Sequence, residues 1–65
     1  MIDINGLKGI IKSRGMTQAD VAKQVGVSLR TFNSKLNRGV FGSWEMEKMI
    51  KILIIEDPAR IFFGN

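Results

Sequence analysis

TQADVAKQVGVSLRTFNSKLNRG, residues 17 to 39, is the stretch that decides the fold. Thr17 and Asp20 stand at the spacing of a capping box, in which a threonine hydroxyl accepts from a free backbone N–H of the first helical turn and an acidic side chain reaches back. The helix that starts there is short, because Val21 and Val25 lie one turn apart on its inner face and Gly26 stops it. Ser28 is the next N-cap candidate, and Leu29 to Asn37 follow without glycine or proline. At about 100° per residue, Leu29, Phe32 and Leu36 fall on one side of this second helix. Arg30, Asn33, Ser34 and Asn37 gather on the other. The pattern predicts two short helices joined by a tight turn, the second with an outward face rich in hydrogen-bonding groups.

The flanks continue the helical reading. Leu7, Ile10, Ile11 and Met16 form an apolar cluster before the pair, closed by Gly15, with Gly6 and Gly9 weakening the start of that first helix. After it, Arg38 to Gly42 reads as a loop. Ser43 is then expected to cap a fourth helix whose Met46, Met49, Ile50 and Leu53 recur at helical spacing, with Glu45 and Glu47 where negative charge suits the helix dipole. Asp57-Pro58 predicts a last short helix from Pro58 to Phe63, with Gly64 closing it. Strand signals are weak throughout. The expectation is an all-α fold, a compact five-helix bundle forming one domain over residues 1–65.

Composition narrows the function classes. The chain has no Cys and no His, so disulfides and the usual zinc ligands are excluded. Carboxylates are few and dispersed, and no glycine-rich phosphate loop follows a strand, so neither an enzyme nor a cofactor is expected, and no small-molecule ligand is evident. The longest apolar run, Ile52 to Ile55, is far short of the roughly 20 residues that cross a bilayer. The first residues lack a basic segment leading into an apolar run, and a cytoplasmic, nucleoid-associated protein is expected. The formal net charge is +4, unevenly spread. Lys8, Lys12, Arg14, Lys23, Arg30, Lys35 and Arg38 face only Asp3 and Asp20 in the first 42 residues, whereas acids slightly outnumber bases in the rest. That asymmetry suits a polyanionic partner.

A tight glycine-containing turn between two short helices projects the second away from its own core, and a major groove about 12 Å wide admits such a helix. Gln18, Ala22, Gly26 and Phe32 stand at the spacing of the Gln, Ala, Gly and apolar positions of phage repressor and Cro proteins, the XRE family. The chain resembles that helix-turn-helix family from about Met16 onward, and Asp57-Pro58 with Ile61-Phe62-Phe63 is similar to the family's final helix. The resemblance implies a lambda-repressor-like fold and a partner in double-stranded DNA. Thr17 and Gln18, at a helix N-terminus, would then hold a phosphate oxygen, and Lys35, Asn37 and Arg38 would touch the DNA backbone.

Base readout is expected from Ser28, Leu29, Arg30, Asn33 and Ser34: Arg30 suits guanine, Asn33 suits adenine, and Leu29 suits a thymine methyl. Leu29 lies close to Phe32 on the wheel, so a core position is the alternative for it. Phe32 and Leu36 are four apart where many family members have three, which leaves the rotation of this helix open. Ile54 stands where family members often have glycine and, with Ile55, adds apolar surface without an obvious burial site. Ile55, Phe62 and Phe63 are accordingly candidates for a homodimer contact, and Trp44 is expected to pack under the Val40-Phe41 loop. The competing reading is a protein-interaction module, or an antirepressor-like partner of another regulator, that uses the same fold without specific DNA binding.

Overall fold

In the computed structural model, which describes residues 2–64, the chain forms five helices and, among the described residues, no strand. They are α1 (Ile4–Ser13), α2 (Gln18–Val25), α3 (Leu29–Arg38), α4 (Ser43–Leu53) and α5 (Pro58–Phe62). Helix α2 is the hub, packing on α1, α3 and α4, while α5 packs on α1. Among the described residues no helix is long and apolar enough to cross a membrane.

Local chemistry sets the helix starts. Thr17 Oγ1 accepts from Asp20 N–H at 3.1 Å and Asp20 Oδ2 accepts from Thr17 N–H at 2.8 Å, so the capping box forms as its spacing predicts. Those bonds, the Thr17 N–H first, hold the exposed Asp20 carboxyl below its ordinary pKa. Ser28 caps α3 by accepting from Thr31 N–H at 3.1 Å, and Asp57 caps α5 ahead of Pro58. Asp3 starts α1, accepting from Gly6 N–H at 2.9 Å. Ser43 is not the cap expected of it: Gly42 holds that position, and Glu45 reaches back to accept from Gly42 N–H at 2.7 Å. Helix α3 runs to Arg38, one residue beyond Asn37, and α5 ends at Phe62 with Phe63 as its C-cap.

One device ends four segments in succession. The N–H of Met16, Val27, Val40 and Ile55 each bonds the carbonyl five residues back, on Ile11, Ala22, Lys35 and Ile50, at 3.0 to 3.2 Å. The residue just before each donor takes a left-handed conformation, at Gly15, Gly26, Gly39 and Ile54. Glycine makes three of these stops without steric penalty; Ile54, at φ 51°, does not.

The core gathers Leu7, Ile11, Val21, Ala22, Val25, Phe32, Leu36, Met49, Leu53, Ile55, Ile61 and Phe62 with Ile2 and Phe41. Ile55 and Phe62 therefore leave the candidate dimer contact. The reversal at Ile54 returns the Ile55 N–H to the Ile50 carbonyl and buries the Ile55 side chain in the core. Ile61 and Phe62 both face inward on the short α5. The surface cost falls on Ile54 itself, which is 68% exposed. Trp44 is only half buried, with the edge of its indole beside Gly42 at the end of the loop before it.

Candidate nucleic-acid interface

Helix α3 is oriented by its two buried side chains. Phe32 and Leu36 are sealed in the core, Phe32 against Phe41 with ring centroids 5.5 Å apart. This fixes the rotation that the four-residue spacing left open. Arg30, Ser34, Asn37 and Arg38 are exposed on the opposite face, and Leu29 is 44% exposed rather than a core residue. Thr31 is exposed as well. Its Oγ1 accepts a hydrogen bond from Ser28 Oγ at 3.0 Å, so its own hydroxyl proton is free to donate. Sequence reasoning passed over Thr31, although the wheel that placed Arg30 outward puts it on the same half of the helix.

Ser28 is the most committed of the expected base contacts. Its hydroxyl accepts from Thr31 N–H and donates to Thr31 Oγ1, leaving one lone pair. Asn33 is half-buried on the flank between core and solvent; its Oδ1 is fully buried and has no hydrogen-bond partner. Thr17 is exposed and Gln18 half-buried in the first turn of α2.

Electrostatics divides the bases more sharply than their number suggests. Lys35 Nζ lies 2.6 Å from Glu45 Oε2, the one ion pair among the described residues. Glu45 is 1% exposed. Burial is the largest single influence on its carboxyl and acts upward, but the hydrogen bonds from Lys35 and Gly42 and the charge of Lys35 together bring its pKa below the ordinary value. Arg14 is committed too, donating from Nε to Leu53 O at 2.7 Å and from Nη2 to Ile54 O at 3.0 Å. It neutralises the C-terminus of α4, where a cation suits both the free carbonyls and the dipole. Arg30 and Arg38 carry no ion pair among the described residues, and α3 contains no acidic residue.

The structure thus brings Arg30, Ser34, Asn37 and Arg38 onto one exposed face with Leu29 and Asn33 along its flank. It ties Lys35 to α4, and of the three dimer candidates it leaves only Phe63 outside the core, 68% exposed. Neither Glu45 nor Arg14 was legible as a fastening residue, since the Lys35 partner of Glu45 and the Leu53 and Ile54 carbonyls that receive Arg14 lie ten or more positions away. Among the described residues no cluster of carboxylates is arranged to hold a metal ion. The chain matches no family model, no curated protein and no solved structure.

Proposed function

We propose that this protein binds double-stranded DNA sequence-specifically, as a small transcriptional regulator of the lambda-repressor-like type, by laying α3 in the major groove. The observation that carries the reading is the composition of the exposed face of α3: Arg30, Ser34, Asn37 and Arg38, unpaired and free of acidic neighbours on their own helix, opposite a fully buried Phe32 and Leu36. A helix that merely covered its core would gain nothing from keeping its outer face free of carboxylates. A helix that approaches phosphates would lose affinity from each one.

On this reading Arg30 is the principal base-reading side chain, able to reach both acceptors of a guanine. Ser34 and Thr31 add hydroxyl contacts. Asn37 and Arg38, toward the C-terminal end, hold backbone, and the side chains of Thr17 and Gln18 meet a second phosphate beside the Asp20 carboxylate that already occupies the Thr17 N–H. Lys35 leaves this group, because its ammonium already has a carboxylate partner. Phe63 and Val40, both exposed and lining one shallow groove, are where a second copy would join if the regulator acts as a dimer.

Selection of binding sites from a random duplex pool at a stated salt concentration tests the proposal. The expected result is one enriched motif, with half-sites about one helical turn apart if two copies bind together. A pool that emerges without enrichment would overturn the reading in favour of an interaction module.

A further inference from the structure

The flank of α3 next to the core holds two features that belong together. Leu29 is an apolar side chain left 44% exposed, and Asn33, one turn later on the same side, is an amide whose Oδ1 is buried without a partner. In a planar amide the oxygen and nitrogen diverge from one carbon, so an inward Oδ1 turns Nδ2 outward. Among the described residues no side-chain hydrogen bond involves Asn33. Asn33 consequently offers the groove donors and no acceptor. In this orientation the amide does not suit the two-bond pairing with adenine expected from the sequence, which needs an acceptor and a donor presented side by side.

We infer that Leu29 and Asn33 act as a pair that reads thymine. In the major groove thymine alone presents an acceptor, O4, next to a methyl group, C5-methyl, whereas cytosine offers a donor where thymine has O4, and adenine presents a donor beside its acceptor. A donor-only amide with an apolar side chain one turn away matches the thymine edge and rejects cytosine. The inference rests on the proposed DNA binding and assigns the base that this flank selects.

The test begins with site selection by the wild-type protein and by Leu29→Ala and Asn33→Ala. Both variants are expected to flatten preference at the same thymine, each remaining folded by circular dichroism. Deoxyuridine at that position, which deletes only the methyl, should weaken wild-type binding about fourfold, the worth of one buried methyl group. It should leave Leu29→Ala unaffected. Asn33→Asp, an acceptor where the amide donates, should move the preference from thymine toward cytosine. Selection of adenine at the position lost in Asn33→Ala, flattening of two different positions, or equal binding to thymine and deoxyuridine overturns the pairing while leaving DNA recognition intact. Absence of any selected motif for the wild type overturns the underlying reading instead.

Discussion

The α2–α3 unit and the α4–α5 unit solve the same problem of packing short helices in opposite ways. In α2–α3 each element follows local rules: a capping box starts α2, Gly26 ends it, Ser28 starts α3 and Gly39 ends it, and the polar side chains on α3 are mostly uncommitted. In α4–α5 local rules are broken twice. A glutamate is buried, and an isoleucine occupies the left-handed stop that glycine holds elsewhere. The broken rules have a purpose outside their own unit, since buried Glu45 grips Lys35 of α3 and the carbonyl of strained Ile54 receives Arg14 at the end of α1. One unit presents its polar groups outward; the other spends its own on fastening α3 and the end of α1.

That contrast fails first at Glu45. Replacing it with alanine should lower the unfolding free energy by about 2–4 kcal/mol, from the cavity and the lost cap together. Glu45→Gln keeps the volume and should lose about 1 kcal/mol. Urea denaturation measures both. The same carboxylate gives stability a pH dependence of defined sign. Its pKa in the folded protein lies below the ordinary 4.5, so its contribution is fully present above that value and is lost as pH falls through the folded value. The urea midpoint should therefore fall less on acidification in Glu45→Gln than in wild type.

Arg30→Ala acts on the other unit. It should cost about 1–3 kcal/mol of binding to a selected site and relax preference at one base pair, with the urea midpoint unchanged. Smaller still is Ile54→Gly, expected to stabilise the fold by about 0.5–1 kcal/mol. Relief of the left-handed strain is partly offset by the greater freedom of glycine in the unfolded chain. DNA affinity should not move, because Ile54 is not part of α2 or α3 and the contact it makes, through its carbonyl to Arg14, survives the substitution. The finest distinction is between two bases on α3. Arg38→Met should reduce the slope of log affinity against log salt by about 0.9, the signature of one lost phosphate contact. Lys35→Met should leave the slope unchanged, because that charge is already matched by Glu45.

How much of this was legible follows the same division. The α2–turn–α3 unit was readable because its determinants lie within three or four residues of one another: Thr17 with Asp20, Val21 with Val25, Phe32 with Leu36. Its outward face could be anticipated for the same reason. The opposite flank of the molecule depended on distant partners. Arg14 counted as surface charge until Leu53 and Ile54 supplied carbonyls for it, and Glu45 read as a dipole-matching acid until Lys35 of α3 came within reach. Ile55 and Phe62 looked surplus because a helix wheel carries no information about where the chain turns after Ile54. The rotation of α3 was undecided by spacing alone and became definite only when Phe41 closed over Phe32.

Competition binding with the selected duplex and a scrambled duplex of equal length and composition, at one near-physiological salt concentration, tests the central claim most directly. Wild-type protein should prefer the selected duplex by about a thousandfold or more, and Arg30→Ala should narrow that preference by about fivefold or more. Equal affinity of the wild type for the two duplexes would contradict the account.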